Sequence, residues 1–185
     1  MTQNIPERLN FLINLWQPDA LKIQQNPLNA KIMHEIDEFD KQLLKRLQKN
    51  NRITAEELGK MINLSISAVQ RRLKRLREKK IIEADVSIIS PAVVGQHITC
   101  VVDVTLHLGN SKVIENFKKL VSGSPEIMQC YYVTGTYDFV IIVNTKDMKH
   151  YEEFSKKYLM DNADVKQFYT HVVMDKVKIG FSVKV

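Results

Sequence analysis

SISAVQRRLKRLREKK, residues 65–80, carries Arg71, Arg72, Lys74, Arg75, Arg77, Lys79 and Lys80 against one acid, Glu78. That segment alone accounts for the formal net charge of +6 on the 185 residues. A basic run is commonly just a solvated helix face, so its placement has to be argued. Val69, Leu73 and Leu76 recur at spacings of four and three, which draws one apolar stripe along a helix, with Ser67, Arg71, Lys74 and Glu78 on the opposite side. The expectation is a rod whose cations look away from the protein interior, available to a polyanion.

What precedes the rod strengthens that reading. In TAEELGKMI, 54–62, Thr54 and Glu57 stand three apart as a capping box, and Leu58, Met61 and Ile62 give a buried side. Asn63 and Leu64 form the joint, and Ser65 is a natural N-cap for the next helix. Two short helices about a tight turn, the second one basic, make a helix-turn-helix. EFDKQLLKRLQKN, 38–50, adds a supporting helix through Phe39, Leu43, Leu44 and Leu47, and IIEADVSII, 81–89, leads out as an extended segment. Such a helix enters the major groove of double-stranded DNA with its first turns toward base edges. Projection from the apolar stripe assigns Ser67, Gln70 and Arg71 to base edges and Lys74 and Arg75 to the phosphate backbone, while Arg72 lies near the buried stripe and reads equally as structural.

From residue 96 the period changes to two. Ile98, Cys100, Val102, Val104, Leu106 and Leu108 alternate with polar residues, predicting a half-buried strand. SKVIENFKKLV, 111–121, follows as a helix, stopped by Gly123 and Pro125; EIMQCYYV, 126–133, and YDFVIIV, 137–143, are strands joined by the turn Thr134, Gly135, Thr136. A helix over about 147–160 and a strand at 165–174 complete a βαββαβ order, the ferredoxin-like split unit. Two helices cover one sheet face, and Val101, Val140 and Ile142 leave the other wanting a partner; self-association supplies it and brings two recognition helices to one duplex. The fold class expected is therefore α+β.

Other classes are set aside by composition. Apolar residues make up 44% and charged residues 26%, with 6 Gly and 5 Pro, which excludes collagenous, low-complexity and disordered chains. Cys100 and Cys130 form no CxxC pair, so no disulfide framework or thiolate zinc site is written from them, and they point to a reducing, cytoplasmic setting. The five histidines show no HExxH or HxxxH pairing, and no GxSxG or GxGxxG turn occurs, so no metal, cofactor or catalytic residue is expected. LNFLINLW, 9–16, is interrupted by Asn10 and Asn14 and is too short for a membrane span.

The residues DEFDKQLLKRLQKNNRIT at 37–54, ELGKMINLSISAVQRRLKRL at 57–76, Gly95 and VTGTYDFVIIV at 133–143 resemble the leucine-responsive/AsnC (feast/famine) transcriptional regulators, nearly colinearly over 37–180. The resemblance implies an N-terminal winged helix-turn-helix, a hinge strand and a C-terminal βαββαβ domain that oligomerises and senses amino acids, with dimers often assembled to octamers. The domains expected are an N-terminal extension of unknown role at 1–36, a DNA-binding domain with its hinge strand at 37–89, and an effector-binding and oligomerisation domain at 90–185. The family's pocket hairpin falls here on Gly135, Thr136, Tyr137 and Asp138, with Thr136 where an acidic residue is usual. Glycine would let backbone amides meet a carboxylate, and Asp138 would hold an ammonium group. The same four residues also read as a hairpin turn held by its own hydrogen bonds.

Two other functions are weighed against the regulator. Tetrapyrrole decarboxylases resemble the same family, and His97, His107 or Tyr132 would then carry acid–base or substrate-holding work. A small-molecule-binding oligomer without DNA binding is the other. Neither needs seven cations on one helix. His107 and His171 read as hydrogen-bonded bystanders, and Tyr131, Tyr132 and Tyr137 as packing. Leu9, Leu12, Ile13 and Trp16 are spaced for an amphipathic helix in the extension.

Overall fold

The computed structural model describes residues 36–107 and 111–185, so the extension and its candidate amphipathic helix lie outside the described residues, as does Leu108. The chain divides into two compact units, one of residues 36–87 together with 180–185 and the other of residues 88–179.

The helical unit is built from α1 (Glu38–Leu47), α2 (Ala55–Ile62) and α3 (Ile66–Glu78). Each start is set by a side-chain cap. Asp37 Oδ1 accepts from Asp40 N at 2.9 Å, Thr54 Oγ1 from Glu57 N at 3.1 Å, and Ser65 Oγ from Ala68 N at 3.2 Å, each satisfying a helix N–H that has no intrahelical partner. The apolar stripes then meet: Leu43, Leu58, Ile62, Val69, Leu73 and Leu76 form one buried core, as the spacings predict.

The turn between α2 and α3 needs two special backbone positions. Asn63 takes the left-handed conformation at φ 55°, ending α2, and Leu64 N donates to Gly59 O at 3.0 Å. Gly59 is buried against that turn so closely that a Cβ there would stand 2.5 Å from Leu64 O. Gly59→Ala is therefore expected to push the turn off α2 at a cost of about 1–3 kcal/mol, read as a lower urea midpoint. A variant as stable as the parent would show that the turn can shift.

Among the described residues the helical unit contains no strand. The segment 82–90 joins no helix or ladder, so the hinge strand and wing that the resemblance implies are represented here by unpaired chain.

The second unit follows the expected order: β1 (Ile98–Leu106), α4 (Ser111–Ser122), β2 (Ile127–Tyr132), β3 (Phe139–Thr145), α5 (Met148–Ser155) and β4 (Val165–Val172), with a 3-10 turn at Pro91–Val94 before β1. The helix expected to run to 160 ends instead in a π turn at Lys156–Met160. The sheet is antiparallel in the order β2-β3-β1-β4. Val102 faces Ile141 and Cys100 faces Val143 on the inner face, where Phe117 and Phe154 from the helices pack over them. On the outer face Val101 lies opposite Ile142 and His171, and Asp103 opposite Val140 and Tyr169. Among the described residues no helix lies over that face.

Candidate functional site

The first turns of α3 present Ser67, Gln70 and Arg71 to solvent, one turn beyond the cap at Ser65, and Lys74 continues the exposed line with 77% of its side chain accessible. Three of the five residues named from sequence are thus exposed together, and Lys74 lies beside them. Among the described residues Arg71 has no carboxylate partner. Lys74 Nζ stands 3.8 Å from Glu78 Oε1, a loose pair on the open surface.

The expectation that all the cations look outward is corrected by three arginines. Arg72 Nη1 donates to Asp37 Oδ2 at 2.7 Å and to Asp40 Oδ1 at 2.9 Å, and its guanidinium stacks over the Phe39 ring at 5.4 Å. Arg75, read as a phosphate contact, has Nη2 bound to Asp40 Oδ2. Arg77 makes a two-pronged pair with Asp85, at 2.8 and 3.3 Å. The reason is geometric: on a helix, positions 72, 75 and 77 flank the buried stripe, where acids from α1 and from the following segment reach them.

Asp40 is the functional residue that sequence reasoning missed. It is 0% exposed, yet it closes the capping box of α1 and holds both Arg72 and Arg75 of α3. A buried carboxylate is tolerated only with such full pairing, and the pairing fixes the helix that carries Arg71 against its support. Two aspartates three apart at a helix start give the cap signal; the distant arginines give none.

The paired acids titrate accordingly. Burial raises the Asp37 carboxyl, but the Asp40 amide and the Arg72 guanidinium outweigh it and hold it below its ordinary value of 3.8. The Arg77 hydrogen bond and charge hold Asp85 below 3.8 as well, against a smaller opposing effect of burial. A carboxylate lowered in the folded state contributes stability fully above its unfolded value and loses it as pH falls through the lowered one. Thermal midpoints of Asp85→Asn and the parent are therefore expected to differ at pH 7 and to converge as the pH falls below the ordinary carboxyl value of 3.8. A gap that stays constant down to acid pH would remove the ion pair as its source.

In the second unit the hairpin between β2 and β3 is closed by Val133 N donating to Asp138 O at 2.9 Å, and Gly135 takes φ +117°, a conformation that favours glycine. Gly135 and Thr136 are exposed at its tip, and Tyr137 packs edge-on to Tyr169 with ring centroids 5.9 Å apart. Asp138 is different from what was expected. It is 1% exposed, its Oδ2 accepts from Leu106 N at 2.8 Å, and its own N–H donates to Val104 O at 2.9 Å. Its Oδ2 pins the hairpin to the end of β1.

The histidines behave as bystanders: His171 Nε2 lies 3.1 Å from Asp103 Oδ2 on the outer sheet face, and His150 Nε2 lies 3.6 Å from Glu126. Tyr132 packs on Phe139, with centroids 5.0 Å apart. Among the described residues no group of three or more His, Cys, Asp or Glu is placed to hold a metal ion, and no helix is long and apolar enough to cross a membrane.

Comparison with known proteins gives the same two parts. Residues 36–77 match the family model described as the AsnC-type helix-turn-helix domain, and residues 99–183 match the Lrp/AsnC ligand binding domain. An HTH-type transcriptional regulator of Sinorhizobium fredii is 48% identical over 151 residues, covering 82% of this chain and 89% of that protein. The leucine-responsive regulatory protein of Escherichia coli is 30% identical over 144 residues, covering 78% and 88%. Among solved structures, a transcriptional regulator from Neisseria meningitidis in complex with L-Met superposes with a TM-score of 0.76 at 27% identity, covering 80% of this chain and 96% of that one. A helix-turn-helix of this geometry, followed by this βαββαβ unit and matched along both, places the chain in the Lrp/AsnC family of transcriptional regulators.

Proposed function

We propose that two copies of the chain bind an operator in double-stranded DNA, with Ser67, Gln70 and Arg71 reading base edges and Lys74 contacting phosphate. The single observation that carries this is the exposed line of these four side chains along α3, held in place from behind by the Asp40 pairs. Arg75 is half-exposed, and with one edge held by Asp40 it offers its remaining N–H groups to a second phosphate. The uncovered sheet face, with half-buried Val101, Val140 and Ile142 and exposed Tyr131, supports a homodimer. Octamers would be dimers assembled further.

The effector is an amino acid or similar small molecule bound by the second unit near Gly135, Thr136 and Tyr137, with Asp138 holding the hairpin in shape rather than touching the ligand. Binding would favour one arrangement of dimers, and with it one spacing of recognition helices. The family-related enzyme reading, of the tetrapyrrole-decarboxylase type, leaves the outward line on α3 without a role.

The test is a binding titration against the footprinted operator and against random DNA, with and without an amino-acid mixture. Arg71→Ala is expected to lose about 1–3 kcal/mol on the operator and much less on random DNA. Equal losses on both would remove Arg71 from base reading.

A further inference from the structure

Two stretches lie outside every helix and ladder among the described residues, 82–90 and 174–185, with bends at Ile82, Met174 and Val177. Both are written as strands. VKIGFSVKV, 177–185, is apolar at every odd position with Lys178 and Lys184 between; IEADVSI, 82–88, is apolar at every even position with Glu83 and Asp85 between. Their apolar residues are open: Val86, Ile88, Val177, Phe181 and Val183 are each at least 65% exposed. Strand-patterned segments with bare apolar faces and unpaired backbone mark surfaces covered in the working assembly.

Both segments are steadied at one turn of the helical unit. Gln48, just past α1, grips Val183 with its whole amide, Nε2 donating to Val183 O at 3.1 Å and Oε1 accepting from Val183 N at 2.6 Å, while Asn51 Nδ2 approaches Val86 O at 3.5 Å. In a strand the N–H and C=O of one residue leave on the same edge. Gln48 therefore occupies the edge of Val183 and leaves that of Ser182 and Lys184 open to another strand. Although both segments rest on this turn, no backbone hydrogen bond joins them within the chain.

Their charges decide what covers them. The polar side of 82–88 offers Glu83, Asp85 being held by Arg77, and that of 177–185 offers Lys178 and Lys184, so the basic segment opposes its own kind and suits the acidic one. We infer that segment 82–88 of one copy pairs as a β-ladder with segment 177–185 of a second copy. Exchanged reciprocally about a two-fold axis, the two pairings close on themselves and leave neither strand bare. The inference rests on the homodimer proposed above and adds a seam to it beside the sheet face.

The experiment uses the full chain with Cys130→Ser, since Cys130 is exposed and Cys100 buried. One copy carries Ser87→Cys and a differently tagged copy carries Ser182→Cys; they are co-expressed, purified by both tags and treated with a short bismaleimide. Each copy holds one accessible thiol, so an adduct between 87 and 182 can only join two copies, and that adduct is the expected product. Adducts of 87 with 87 or 182 with 182 alone, or none at all in a pair that sediments as a dimer, overturn the seam and leave the dimer standing. If the two tags do not co-purify and the full chain sediments as a monomer, both are overturned. Independently, Glu83→Lys and the pair Lys178→Glu and Lys184→Glu are each expected to weaken dimerisation about three- to tenfold, and their combination to restore it. Absence of restoration counts against the pairing.

Discussion

Asp40→Ala is expected to destabilise the helical unit by about 3–5 kcal/mol, the largest effect of any single substitution considered. The carboxylate is buried and accepts from two guanidinium groups on α3 while its Oδ2 takes the Asp37 N–H at 3.3 Å. Its removal leaves Arg75 without its acid, reduces Arg72 to its pair with Asp37, and opens a space at the junction of α1 and α3. For a unit of this size the loss corresponds to a fall in thermal midpoint of more than about 12 °C, measured by circular dichroism. Asp40→Asn, which keeps a cap acceptor but no charge, should fall between the two. Lys41→Ala supplies the contrast: its pair with Glu38 at 2.6 Å lies on the surface, where solvent screens it, and its loss should leave the thermal midpoint nearly unchanged. Similar losses for Asp40→Ala and Lys41→Ala would mean that Asp40 is screened by solvent.

DNA affinity is expected to depend on salt more steeply than on any one side chain. About eight phosphate contacts per dimer give a log–log slope near −7, so raising salt from about 50 to 200 mM should weaken operator binding about 10⁴-fold. Lys74→Gln removes one contact per protomer and should reduce the slope by about two while lowering affinity alike on operator and random DNA. The measurement is a set of fluorescence-anisotropy titrations across salt concentrations. A slope near zero contradicts phosphate binding by α3, and a Lys74→Gln slope identical to the parent's places that lysine away from the backbone.

The parts of the fold that sequence reveals are those with local causes. Thr54 with Glu57, and Ser65 before an apolar period of 3.6, dictate α2 and α3 from neighbouring residues alone, and the period-two alternation from Ile98 dictates β1. Ser67, Gln70 and Arg71 follow from the same projection. What escaped depends on partners far apart in the chain. Arg75 is 35 positions from Asp40, and Gln48 is 135 from Val183. The burial of Asp138 has a related cause: an acid beside a glycine turn reads as exposed, and Leu106 N from β1, 32 positions away, draws its Oδ2 inward. The helix expected over 147–160 stops short because Lys156–Met160, after α5, widen into a π turn, which apolar spacing does not distinguish from an α-helix.

The closeness of Gly59 to Leu64 bears on how such a protein changes its preferred operator. Where two backbones touch without room for a methyl group, the crossing of α2 and α3 has little tolerance for gradual adjustment. New operator preferences are then reached by exchanging the side chains at 67, 70 and 71 on an unmoved frame, one position at a time, without repacking what lies beneath.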